Sequence, residues 1–203
     1  MYNAKITLET ITTILASGIE VFPRETAGTL YGRRVNNHLD ISIAFPHQTA
    51  ERRRRDVSVP SDCAELVKLA ITNIIDGVYI GDYHSHTFNQ NATIQRCLSG
   101  EDIKSIKGLF CNNHMEISLL LTIKKLRDYY EAKMSINNGG SIIGYLENYN
   151  FVITGYSWDR KKSRQRRIHL YNTMIATRGQ RRKYGLGHKG HTRARLNVTL
   201  KRN

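Results

Sequence analysis

A chain of 203 residues with 40% hydrophobic content is long enough for one good core and an appendage, and too short for two full domains. Its net charge of +14 belongs to one segment: from Asp159 to Asn203 fifteen Lys or Arg stand against one acid, while residues 1–158 are balanced. No stretch approaches the roughly 18 apolar residues of a membrane span, and nothing near the start reads as a secretion signal. The three cysteines, Cys63, Cys97 and Cys111, lack C-x-x-C spacing and are odd in number, which argues against a disulfide framework and against a cysteine-built zinc site. The expectation is a cytoplasmic protein without a membrane partner, its domain covering 1–158 and a basic extension covering 159–203.

Leu8, Ile11, Leu15 and Ile19 recur at helical spacing over Thr7 to Ile19, and Pro23 then forces a break. Gly28 to Val35 and Leu39 to Phe45 follow as strands of a hairpin turning at Asn36-Asn37. The second alternates Leu39, Ile41, Ile43 and Phe45 against polar or small residues. Gln48 to Val57, with four consecutive arginines from Arg52 to Arg55, reads as an exposed loop. Asp62 with Glu65 signals a helix start; Leu66, Val67, Ala70 and Ile74 give it an apolar face and Gly77 an end. Val78 to His86 reads as a strand entering a long polar loop, Thr87 to Leu98. A second capping pattern, Ser99 to Asp102, opens a helix carrying Ile103, Ile106 and Phe110. The apolar run Ile117 to Leu121 suits a strand buried on both faces, and Tyr129 to Ile136 and Tyr149 to Trp158 read as further strands. With no internal repeat, the pattern predicts an α/β domain with a central mixed sheet.

His84 and His86 lie two apart at the end of a predicted strand, so both imidazoles project from one face and can reach one ion. Hydrolytic zinc needs three protein ligands and one open position. Asp102 is the natural third, because a carboxylate in the first turn of a helix also meets the positive end of the helix dipole. An H-x-H pair alone occurs in cupins, amidohydrolases and ordinary strands. Context adds a carboxylate that can carry a proton to the leaving group: Glu25, in the stretch Glu25-Thr-Ala-Gly28-Thr-Leu-Tyr-Gly32. Two bland readings stand beside these. Ser99-x-x-Asp102 is also a plain helix start, and Glu25 next to Arg24 is also a surface ion pair.

Glu25 followed by Gly28 and Gly32, then Gly81-Asp-Tyr-His84-Ser-His86, then Ser99-x-x-Asp102, resembles the JAMM signature of the MPN metallopeptidases. These include the deubiquitinating subunit of the proteasome lid and prokaryotic enzymes that cleave ubiquitin-like modifiers. The resemblance spans roughly Lys5 to Trp158. It implies the MPN (cytidine-deaminase-like) fold, a central mixed β-sheet flanked by helices. It also implies Zn2+ held by His84, His86 and Asp102, Glu25 as general base and acid, and Ser99 as a hydroxyl helping to stabilise the oxyanion. The implied activity is a peptidase or isopeptidase acting on a ubiquitin-like protein or peptide tail. Two departures stand out: fifteen residues, Thr87 to Glu101, separate the second His from the Asp, where the family usually has about ten. A Pro common after the second His is Thr87 here.

Arg52 to Arg55 reads as a solvated loop, or, by the resemblance, as a segment beside the substrate's extended tail, where arginines suit an acidic or carboxylate-bearing partner. In residues 159–203, Leu170, Tyr171, Met174 and Ile175 are spaced for a short amphipathic helix. The rest, including His188 and His191, carries few apolar residues and is expected to be largely disordered. That charge suits nucleic acid or the ribosome. The competing function is therefore an MPN-fold binding module, or a nucleic-acid-associated protein acting through its basic tail. A metal-dependent hydrolase of small amides is a third.

Overall fold

Thr7 sets where the first helix begins. Its side chain accepts a hydrogen bond from the Thr10 amide at 3.2 Å, and helix α1 (Leu8–Glu20) then turns Ile11, Ile14, Leu15 and Gly18 inward. The computed structural model describes residues 3–52, 57–74, 77–92, 97–112, 115–159, 161–172 and 175. Around α1 run β1 (Asn3–Ile6), β2 (Ala27–Val35), β3 (His38–Pro46), β6 (Val78–Phe88), β7 (Ile117–Ile136), β8 (Ile142–Asp159) and β9 (Arg164–Tyr171). A separate pair, β4 (Glu51–Arg52) and β5 (Val57–Ser58), precedes helix α2 (Ser61–Ile74), and helix α3 (Gly100–Cys111) joins β6 to β7.

The seven longer strands close into a barrel in the order β1-β3-β2-β6-β7-β8-β9. Three contacts are parallel: β1 with β3, β1 with β9, and β6 with β7. The β2–β3 hairpin turns where expected, Asn36 taking a φ of 51°, a left-handed conformation that Asn tolerates better than most residues. Alternation along the strands sorts the core. Leu119, Leu121 and Ile123 of β7, each 0% exposed, pack with Ile11, Ile14 and Leu15 of α1. Leu120, between them, faces the other way and joins Ile106 and Phe110 of α3 in a second cluster.

The barrel corrects the architecture inferred from the sequence. An MPN-type central sheet flanked by helices is not what forms: the strands close on themselves, and the described residues hold three helices. Periodicity identifies strands but not which edges meet. The strands that complete the ring are the four-residue β1 and the arginine-rich β9, and neither carries a clear strand pattern. β9 also takes Leu170 and Tyr171, read from sequence as the start of a helix in the extension. The segments expected as separate strands around Ile117–Leu121 and Tyr129–Ile136 form one long β7, irregular opposite β8 between Lys125 and Lys133. Helix α2 forms as expected, but its apolar face points outward, Leu66 being 66% and Ile74 81% exposed. Arg53 to Arg55, Met174 and residues 176–203, with His188 and His191, lie outside the described residues.

Gly81 shows how tightly β6 and β7 approach. A Cβ there would fall on the Ile117 carbonyl oxygen, which belongs to a backbone that cannot move aside cheaply. Gly81→Ala is expected to destabilise the fold by about 2–4 kcal/mol, read as a lower urea midpoint.

Candidate metal centre

Strand β6 carries the two histidines by simple alternation. Tyr83 enters the main core, its hydroxyl 3.0 Å from Ser17 Oγ on α1, while Asp82, His84 and His86 leave by the opposite face and line a cleft of about 930 Å³. Asp102 comes from the first turn of α3, whose start is a full capping box. The Ser99 amide donates to Asp102 Oδ2 at 2.7 Å, and the Asp102 amide donates to Ser99 Oγ at 3.1 Å. That reciprocal pair fixes the Asp102 rotamer and turns the carboxylate toward β6.

The three side chains converge. His84 Nε2 lies 3.4 Å from Asp102 Oδ1, and His86 Nε2 lies 3.2 Å from Asp102 Oδ2. One potential ligand atom from each of the three lies within 4.8 Å of the others, as donors around one ion do. His84 Nε2 is buried and has no hydrogen-bond partner among the described residues, a costly state for a ring nitrogen unless something else binds it. The donor set of two imidazoles and one carboxylate fits Zn2+ and leaves room for a further ligand.

Glu25 reaches the same cleft, 8% exposed, and its charge acts on His86. Its placement depends on Ser85, the residue between the two histidines. The Thr26 amide donates to Ser85 Oγ at 2.8 Å and the Ser85 amide donates to the Thr26 carbonyl at 2.9 Å, clamping the segment after Glu25 to β6. Gly28 serves the same close packing, since a Cβ there would fall on the Phe45 carbonyl oxygen and the Tyr83 ring. The structure thus brings Glu25, His84, His86, Ser99 and Asp102 to one cleft. Among the described residues the Ser99 hydroxyl serves as acceptor to the Asp102 amide and makes no other hydrogen bond, which leaves its proton for another partner.

Three further residues escaped the sequence reading. One is Ser85, the middle of the H-x-H pair: a 0% exposed hydroxyl bonded to the Thr26 amide just before β2 has no sequence signal of its own. His47, 6% exposed, and Asp82 also line the cleft. Asp82 was legible in principle, because it precedes His84 by two on a predicted strand. Thr87, standing where the resembled family has a proline, continues β6 and donates its hydroxyl to the Pro23 carbonyl at 2.7 Å. The long loop begins anchored: Gln90 Nε2 donates to the Leu126 carbonyl at 3.2 Å and Lys124 Nζ to the Ala92 carbonyl at 2.8 Å.

Charge in the cleft is unevenly held. Burial works against the Asp102 carboxylate, but His84, His86 and the Ser99 bond outweigh it and hold the group well below the usual carboxylate range. Burial likewise opposes charging His86, yet the Asp102 hydrogen bond and the charges of Asp102 and Glu25 raise it above its ordinary 6.5. Without an ion, the pairing therefore stabilises the fold in a defined window. The Asp102 part is present above pH 3.8 and lost as pH falls through its lowered folded value; the His86 part is complete below 6.5 and lost as pH rises through its raised one. Asp102→Asn in chelator is expected to cost about 1–3 kcal/mol between pH 4 and 6.5 and progressively less above pH 7, measured by urea unfolding across pH.

Among the described residues no helix is long and apolar enough to cross a membrane. No protein-family model and no curated protein matches the chain. The solution structure of protein DSY2949 from Desulfitobacterium hafniense is similar to it, at 16% identity and a TM-score of 0.53, over 83% of this chain and 92% of that one. The likeness is one of fold alone.

Proposed function

We propose that the chain is a zinc-dependent peptidase or isopeptidase cleaving a ubiquitin-like protein or peptide tail. The observation that carries the reading is the convergence of His84, His86 and Asp102, with a buried His84 Nε2 that no described residue hydrogen-bonds and Glu25 held in the same cleft. Zinc, when bound by these three residues, supplies Lewis acidity that polarises an amide carbonyl and lowers the pKa of water toward about 7.

The rest of the chemistry falls to side chains. Glu25 accepts the proton of the attacking water and returns it to the leaving nitrogen as the C–N bond breaks, so the hydroxyl goes to the acyl carbon and the proton to the amine. Its low exposure keeps that proton from bulk solvent, and the Ser85–Thr26 clamp keeps the carboxylate in place. The Ser99 hydroxyl, fixed at the start of α3, is placed to donate to the oxygen that gains charge. The Asp102 carboxylate, ionised across the physiological range, is ready to bind a cation. The order and spacing of Glu25, His84, His86, Ser99 and Asp102 resemble the JAMM signature and support the same chemistry at residue level. The architecture first inferred from that signature plays no part in the reading.

Two features outside the cleft support narrower readings. The +14 charge of residues 159–203 suits a polyanionic partner such as nucleic acid, with binding expected to weaken steeply as salt rises. Cys63, Cys97 and Cys111 are all free, which suits a reducing, cytoplasmic compartment.

Elemental analysis of protein truncated after Asn172 should find about one zinc per chain, lost in His84→Ala and in Asp102→Ala. Glu25→Gln should retain the metal while lowering the hydrolysis rate by about 10²–10⁴-fold on a ubiquitin-like or peptide substrate. A wild type that takes up no zinc when refolded with it would overturn the reading.

A further inference from the structure

Asp82 is the one acidic group on the cleft-facing side of β6 that the chemistry above leaves unused. It stands on the same strand face as His84, so its side chain leaves the backbone about 7 Å further along the cleft, a distance that two residues of an extended peptide also cover. Its cross-strand neighbours are Thr29 on β2 and Ser118 on β7, both uncharged. Among the described residues its carboxylate has one hydrogen bond, from the Tyr79 hydroxyl at 2.9 Å, and forms no ion pair. Lys68, which lines the same cleft, acts on it through its charge without pairing with it: Lys68 Nζ bonds Glu65 Oε1 at 3.0 Å and sits 4.4 Å from the centre of the Tyr79 ring.

A partly buried carboxylate with one hydrogen bond is costly to keep charged unless a cation completes it. The cleft offers one a way in, since Asp82 lines the same space as the metal ligands. A divalent metal does not suit the position, because hard cations need several oxygen ligands and, among the described residues, Asp82 belongs to no group of three or more side chains that could hold one. A singly charged organic cation does. Ala64 on α2 and Leu109 on α3 line the cleft as well and offer apolar surface to an aliphatic stem.

We infer that Asp82 forms the floor of a specificity subsite that takes the side chain of a lysine or arginine near the bond to be cut. The inference rests on the peptidase reading for its location relative to that bond, but the cation subsite itself does not need hydrolysis. An ammonium or guanidinium entering here gains a charge-assisted hydrogen bond and covers a carboxylate that has one hydrogen bond, from Tyr79, and only the through-space charge of Lys68. Asp82 touches the substrate without taking part in bond cleavage, so its loss should alter which peptides are chosen more than how fast a bound one is cut.

Two measurements on the full chain test this separately. In the first, zinc-loaded protein is given peptides in which one position at a time is lysine, arginine, norleucine or Nε-acetyl-lysine. The expected result is a preference of at least tenfold in kcat/KM for lysine or arginine over norleucine at one position, reduced to less than about threefold in Asp82→Asn. Asparagine keeps the acceptor for Tyr79, and the acetylated peptide removes the charge from the ligand instead, so the result does not depend on one variant folding. Equal rates for lysine and norleucine peptides, with cleavage observed, would sink the subsite and leave the peptidase standing. The second measurement uses Glu25→Gln protein and follows backbone amide shifts while Nα-acetyl-lysine methylamide is added. Shifts centred on Thr29, Asp82 and Ser118, at least tenfold weaker with the Nε-acetylated compound and lost on adding Asp82→Asn, are expected. Such binding, with zinc-loaded wild type cutting none of the peptides of the first measurement, would keep the subsite and remove the peptidase reading. Binding that ignores the charge or the Asp82 substitution would overturn the subsite whatever the first measurement gives.

Discussion

Strand β6 has to satisfy two neighbours at once, and the site exists because it does. On one face Tyr83 and Ser85 are committed to the interior, the first by its hydroxyl beside Ser17 and the second by its paired hydrogen bonds with Thr26. Gly81 lets the backbone lie against β7 with no room for a side chain between. With register fixed so firmly, the other face has no freedom: Asp82, His84 and His86 must enter the cleft. A shift of one residue would bury both imidazoles and expose Tyr83. The candidate metal centre is thus held by the apolar packing behind it more than by contacts among its own members.

The third member of the group is held by a different device. Asp102 is held by the start of α3, where the capping box satisfies two backbone amides that a helix end would otherwise leave bare. The same carboxylate thus caps a helix and faces two imidazoles. The two readings of Ser99-x-x-Asp102, as a cap and as part of a site, describe one arrangement. Structural and chemical demands coincide there, so a substitution at Asp102 disturbs both.

Much of this was legible in the chain. Helical spacing located α1 and alternation located β3; β2 and β6 also read as strands, and H-x-H with the capping pattern identified three residues that the structure does bring within reach of one ion. What could not be read was closure. β1 is four residues long, and β9 opens on Arg164-Gln-Arg-Arg167 in a segment whose charge spoke for an extension, so neither announced itself as a barrel strand. Pairing of distant edges is a property of the whole chain, and local pattern contains no record of it. Helix α2 failed in the opposite sense: its pattern of Leu66, Ala70 and Ile74 is that of a helix seeking a core, yet no residue of it is buried. Amphipathic spacing predicts that a helix forms and does not say what lies against it.

The seam that closes the barrel has a kinetic cost. Asn3 to Lys5 pair in parallel with His169 to Tyr171, so the final ladder joins one of the first described stretches to one of the last. Bringing such ends together costs about 4–5 kcal/mol of chain entropy before any hydrogen bond is made. The β2–β3 and β7–β8 hairpins need no such search and can form while the ring is still open. Folding of this topology is therefore expected to be slow for its size, with an open-edged curved sheet as its vulnerable stage. During that interval the exposed edges of β1 and β9 are the places where the chain is most exposed to pairing with another copy of itself.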